Sequence, residues 1–475
     1  MRLSLPALAV LVITGPVLAQ SKVEYTTVPI SLHPTAPPVP LGSLRLGLGY
    51  EDITPGNRVQ GLLKTFMEQD NFFKVVGSEE WQTELQMPLA EFKEKSKYRT
   101  MTSSGIAYDQ KYTTMMGFLD KGARYKQIEW NEYDDLRKDG FYLLLPEVQK
   151  LRTLAAALHM RLRNEIVERQ FARAAITIQT IVGIAQALEQ HPCLIGNLVG
   201  IAILQIAASG LEEMVGQPGC PNLYWAITDL PSPIIHQRLA VGGEKIFLTS
   251  HFRPYLTTAR VLSDKEIEAF LAEMNELLKF DESENRAGKV FRDARIRFGL
   301  IAADLKRIEV VRKRLIAAGA DAATVKAMPA IQIAIQDEFH RYEILRDEFF
   351  KAYQLPYFVA KPFMKETEVA LLKGKANGDI VGPAFLPAVW KTKQAQARVE
   401  MRFAAIRIVE AIRLHGHKHG ELPATLAATG LPMPVDPFHG TGFTYELRDG
   451  KAVLRCGDTG LGKNQNREYE LTVAK

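Results

Sequence analysis

Three histidines stand within five residues in RLHGHKHGELPATL, residues 413–426: His415, His417 and His419. On a helix, His415 and His419 are i,i+4 and share a face, the spacing by which helices present two ligands to zinc. Two ligands fall short of a site. Gly416, Gly420 and Pro423 signal that the helix is ending, where histidines interact favourably with free carbonyls and the helix dipole. The metal candidates are therefore His415 and His419, and helix termination is the expected role. In DEFHRYEILRDE, Asp337 and His340 have the i,i+3 spacing of a carboxylate-bridged di-iron pair, with Glu338 adjacent. Such sites need a second Glu-x-x-His helix, which the chain does not supply, so a solvated charged face is expected. Tyr224 and Trp225, in the Pro/Gly-rich stretch GQPGCPNLYWAITDLPSPII, could line a groove, with core packing the expected role.

The common motif routes to chemistry are closed. There is no HExxH, no Gly-x-Ser-x-Gly, no P-loop and no GxGxxG after a strand, and no cofactor is expected. Catalytic groups that are distant in sequence would escape such a search.

Those residues must be positioned by a large chain. At 475 residues it is long enough for two or three cores, because single cores stop growing near roughly 250 to 300 residues. Apolar residues make 47% and charged residues 24%, which is a globular balance. A formal charge of +5, without a basic block interleaved with aromatics, argues against a nucleic-acid partner.

The first residues, MRLSLPALAVLVITGPVLAQ, combine Arg2, an apolar run from Leu3 to Ile13, the breaker Gly15-Pro16 and Ala19 before Gln20. This predicts a signal peptide over 1–19 and an exported protein, periplasmic or extracellular; the apolar run is short of the about 20 residues that span a bilayer. LIGNLVGIAILQIAASG, 194–210, carries Asn197 and Gln205, so a buried helix is expected there and no stable membrane span in the mature chain.

Residues 20–45 are rich in proline and are expected to form an extended leader or tether. A helical domain follows over 46–245, with a first helix capped by Thr54. Leu151, Leu154, Leu158, Leu162 and Ile166 mark one helical face, and Phe171, Ala174, Ile178, Ile181, Ala185 and Leu188 another, predicting an αα-hairpin. A second helical block occupies 246–392: a capping box at Ser263 and Glu266, a helix over Ile301–Leu315, and another ended before Pro356. The last segment, 393–475, begins with a helix from Lys393 to His415. Its Asp449-Gly450 then predicts a hairpin, pairing Arg448 with Lys451, Leu447 with Ala452, Tyr445 with Leu454 and Phe443 with Cys456. EYELTV adds a third strand through Tyr469, Leu471 and Val473. The fold class expected is mainly α: an antiparallel helical bundle or irregular α-hairpin stack, with a small C-terminal α+β module of a helix and a three-stranded antiparallel sheet.

EAIRLHGHKHGELPATL, LPMPVDPFHGTGFTYEL and CGDTGLGKNQNREYEL resemble the globular part of type II secretion pseudopilins: a helix, a proline turn, a Pro-x-Asp-Pro segment and a Gly/Asp-rich loop before a last strand. The resemblance covers about the last 80 residues. The tail departs from that family in having no hydrophobic N-terminal half on its helix and no paired aspartates for calcium. Together with PGNRVQGLLKTFMEQDNFF and LLPEVQKLRTLAAALHMRLRNEI, it also resembles a group of uncharacterised exported bacterial helical proteins, which brings no activity with it.

Export invites a Cys193–Cys220 disulfide, and geometry opposes it. If Leu194–Met214 is one helix it spans about 31 Å, and the following six residues return at most roughly 21 Å, leaving the Cα atoms beyond the about 7 Å a disulfide allows. Three unpaired thiols are expected, with Cys456 buried in the tail. The function expected is that of an envelope scaffold or protein-interaction protein whose partner is another envelope protein. The alternatives are an exported metal-dependent enzyme and an accessory component of a secretion or pilus machine.

Overall fold

The computed structural model describes residues 23–66, 74–99, 110–130, 145–278, 293–462 and 465–474; the expected signal over 1–19 lies outside them. Helix predominates, at 64% against 8% strand, so the chain is mainly α with one small mixed sheet. The longer helices are α1 (Gln110–Ala123), α2 (Pro146–Val167), α3 (Phe171–Glu189), α4 (Leu194–Val215), α5 (Arg238–Phe252) and α6 (Asp264–Leu278). They continue with α7 (Ala294–Ala303), α8 (Leu305–Ala317), α9 (Ala330–Lys351), α10 (Tyr357–Ala376) and α11 (Val381–His419). The sheet contains β1 (Thr26–Leu32), β2 (Thr444–Arg448), β3 (Lys451–Arg455) and β4 (Arg467–Val473) in the order β1-β4-β3-β2.

The apolar stripes of α2 and α3 are buried from Leu151 to Leu188, and both helices pack on α4. The contact of α2 with α4 requires glycine at 210, since a Cβ there would lie 2.2 Å from the Leu162 Cδ2. Helices α3 and α4 are each long and apolar enough to cross a membrane, and each is mostly buried against its neighbours here.

Helix α11 is buried on nearly every side along its second half: Val399, Met401, Phe403, Ile406, Ile408, Val409 and Ile412 all belong to the core. It begins at Val381, twelve residues before the expected Lys393. Pro383 falls in the first turn, where backbone N–H groups have no intrahelical acceptor and proline loses nothing. The exposed donors are taken by Glu338, whose carboxylate accepts from Ile380 N at 2.6 Å. The helix ends at His419, four residues beyond the expected His415, with Gly420 in the left-handed region (φ 76°) donating to Gly416 O.

The hairpin has the expected register: Arg448 pairs with Lys451, Leu447 with Ala452, and Tyr445 with Leu454. Asp449 (φ 50°) and Gly450 (φ 74°) both take the left-handed backbone that a two-residue hairpin turn needs. Phe443 and Cys456 lie beyond the last rung, Thr444 with Arg455, but both are buried. Leu447, expected on the inner face, is 40% exposed because it sits at the open end of the edge strand.

The proline-rich leader is corrected by the structure. Thr26–Leu32 forms a fourth strand, parallel to β4, with Ile30 opposite Leu471. Val28, Ile30 and Leu32 alternate toward the core, and Pro29 is tolerated on an edge strand. Two helical expectations also change. Thr54 belongs to a short strand paired with Tyr125, and Asn57 caps the first helix instead by accepting from Val59 N. The helix expected over Ile301–Leu315 breaks at Asp304, whose side chain caps α8. The Ser263–Glu266 capping box is present.

Residues 30–235 contribute, with 395–471, to one core, and residues 248–386 form a second. Buried charges tie elements together where apolar packing alone would leave them free to slide. Arg402 of α11 donates to Glu212 of α4 at 2.7 Å, and Tyr469 of β4 donates to the same carboxylate. Arg413 and Glu410 are fully buried, with Arg413 also holding the carbonyls of Cys220 and Pro221.

Candidate functional site

The histidines sit in the last two turns of α11, where the rings of His415 and His419 stack with centroids 4.3 Å apart. Among the described residues no group of three or more His, Cys, Asp or Glu is arranged to hold a metal ion. Asp337 and Glu338 are not on a solvated face. Both are buried, and Arg307 bridges them, at 2.7 Å to Asp337 and 2.9 Å to Glu338, while Arg314 adds a second contact to Asp337. His340 is exposed. The cluster fastens α8 and α9 to the start of α11 and leaves its carboxylates committed to arginines.

All three cysteines are unpaired and buried, and α4 runs unbroken from Leu194 to Val215 between the first two. Burial pushes the Cys220 thiol up to about 12 and the Cys456 thiol up to about 11, so neither is a thiolate at neutral pH.

The strongest constellation lies elsewhere, in a groove of about 540 Å³ on the central part of α11. That volume is in the range of small-ligand sites. One wall is the face of α11 made by Lys393, Gln396, Ala397, Glu400, Phe403, Ala404 and Arg407, whose spacing of three and four residues is one helical stripe. The opposite walls are the loop from Ile227 to His236, the start of α10 at Leu355–Phe358, and the tail segment at Pro434–Pro437. Most of this lining is apolar, and its polar groups come chiefly from α11.

Lys393, Glu400 and Arg407 are seven residues apart, two turns each, so their stations along the helix axis span about 21 Å. Lys393 is buried, donates to Gln396 Oε1 at 3.0 Å and lies 5.6 Å from the centre of the Tyr353 ring. Burial pushes it down to about 8, against the partial support of the Glu400 charge. Glu400 accepts from Ile234 N at 2.7 Å, and burial pushes its carboxyl up to about 7. Arg407 donates to Tyr224 Oη at 3.1 Å and Pro432 O at 3.3 Å, and its Nε is buried without an acceptor.

This differs from the structural charges of the core. Arg161, Arg163, Arg307, Arg402 and Arg413 each meet a carboxylate. Lys393 and Arg407 are hydrogen-bonded by neutral acceptors, and the carboxylate between them on the same wall, Glu400, has its hydrogen bond from Ile234 N.

Tyr224 is buried, donates to Pro432 O and lies under the Arg407 guanidinium, in a supporting role outside the lining. Trp225 packs edge-on to it and is 39% exposed. None of Lys393, Glu400 and Arg407 stood out in the sequence. Their signal is three charges at heptad spacing in a helix that also carries Lys391, Arg398, Arg402, Glu410 and Arg413, and nothing local shows that the 227–237 loop comes to face them. Compared with protein-family models, curated proteins and solved structures, the chain matches none.

Proposed function

We propose that the chain is an exported envelope protein that works by binding, as an interaction scaffold, and that the α11 groove is its receptor site. The observation that carries this reading is the groove itself: a concave, mainly apolar wall into which one buried helix sends a few ionisable side chains. The pattern of residues 1–19 supports export. The helices are read as an irregular α-hairpin stack, with the helix and sheet of the tail as a module docked on it. No nucleic acid is expected as a partner, and α3 and α4 are read as core helices.

Two measurements test the proposal. N-terminal sequencing of native protein is expected to return Gln20 or a near neighbour; Met1 or Arg2 would overturn export. A photoreactive residue at Val435, on the groove's rim and 50% exposed, is expected to form an envelope adduct that the groove-filling Ala397→Trp variant abolishes. Equal adducts from Val435 and from the distant, exposed Leu300 would overturn the assignment of the groove.

A further inference from the structure

We infer that the groove takes a long-chain carboxylic acid, with the carboxylate held at Lys393 and Gln396 and the unbranched apolar body lying along α11 toward Phe403. The inference rests on the reading of the groove as a binding site and names its ligand. Charge comes first. The Lys393 ammonium is a buried cation with three donors, held by the neutral Gln396 Oε1 and the Tyr353 ring, so an anion entering the groove meets a complementary, partly desolvated charge. Arg407, two helical repeats away, adds positive potential along the same wall and draws anions toward it.

The acidic side chain beside Lys393 does not cancel this. Glu400 has one carboxyl oxygen on Ile234 N, and burial pushes it up to about 7. Below that pH it is protonated and can donate to a ligand carboxylate; above it, like charges oppose the ligand.

The walls decide between an acyl body and a peptide. A bound peptide must pair its own N–H and C=O groups, usually with backbone of the host. Five lining residues, Pro231, Pro233, Pro356, Pro434 and Pro437, have no N–H to offer. In the loop facing α11, Ile234 N is committed to Glu400 and Ile235 O to Gln396. Most of the remaining lining is apolar side chain, which suits a hydrocarbon that asks for no hydrogen bonds.

The test is isothermal titration of the mature protein with dodecanoic acid, its methyl ester and dodecylamine at pH 6.5. The acid is expected to bind more tightly than the ester, and the amine most weakly. Lys393→Met is expected to weaken the acid by roughly tenfold or more, as for loss of a charge-assisted hydrogen bond, and to leave the ester unchanged. Lys393→Arg is expected to restore acid binding. Equal binding of acid and ester overturns the carboxylate assignment while the groove stands as a binding site. A Lys393→Met variant that keeps full preference for the acid overturns the role of Lys393. If that variant does not fold, the order of the three ligands on the unaltered protein decides. Binding of an apolar hexapeptide in preference to the acid would overturn the acyl body. If none of the ligands binds, the inference falls, and the groove as a receptor is then judged separately by the Val435 adduct.

Discussion

Replacing Glu400 by glutamine keeps the acceptor for Ile234 N but removes a group whose ionisation the fold opposes. Burial raises its pKa from the ordinary 4.5 to about 7, so the folded state holds a proton that the unfolded state has released. The sign follows from linkage: the stability associated with this group is fully present below pH 4.5, declines above it, and is lost once pH passes 7. At about 1.36 kcal/mol per pKa unit the whole effect is roughly 3 kcal/mol. About 1 kcal/mol of it is gone by pH 5.5, leaving roughly 2 kcal/mol to be lost between pH 5.5 and 8. Lys393 acts in the opposite sense. Its pKa falls from 10.5 to about 8, so its contribution is present above 10.5 and is lost as pH falls through 8. Between pH 5.5 and 8 that contribution stays nearly constant. The other titratable groups lining the groove, His236, Tyr357 and Arg407, are common to both proteins. Glu400→Gln also removes the charge that supports the Lys393 ammonium, a smaller effect of the same sign, so urea unfolding of the native protein and the variant at pH 5.5 and 8 reads chiefly the Glu400 proton. The variant is expected to gain roughly 2 kcal/mol relative to the native protein on going to pH 8. A difference independent of pH would refute the reasoning that Glu400 is held protonated by burial.

Arg413→Leu leaves Glu410 buried without its cation and frees the Cys220 and Pro221 carbonyls, so denaturant unfolding is expected to show a loss of about 3–5 kcal/mol. His415→Gln with His419→Gln is expected to leave metal content, by elemental mass spectrometry, unchanged and to cost under about 0.5 kcal/mol each. Stoichiometric metal lost with these side chains would reinstate them as ligands. Alkylation of unfolded, unreduced protein is expected to label Cys193, Cys220 and Cys456 alike; a Cys193–Cys220 bridge would show that α4 is broken.

Local signals in the sequence carried far where the partner is near. The Asp449-Gly450 turn was enough for the rungs from Arg448–Lys451 to Tyr445–Leu454, because two left-handed residues allow one register. The stripes of α2 and α3, and the length of α4, are equally legible. Distant partners were not. Thr26–Leu32 is a strand because Arg467–Val473 offers an edge some 440 residues away, and its own alternation is masked by prolines. Asp337 and Glu338 look solvated in the sequence because Arg307 and Arg314, which pair with them, lie a full helix earlier. The start of α11 was missed because its donors are satisfied by Glu338 rather than by a local cap. The groove shared this difficulty: its charges lie on one helix, but its shape comes from three other segments.

Hydrogen–deuterium exchange with and without dodecanoic acid shows whether this groove is where the protein binds. Protection is predicted in 227–237, 354–358 and 434–437, the segments that face α11, with no change over 305–317. Protection confined to segments that do not line the groove, in a protein that binds the acid, would contradict it.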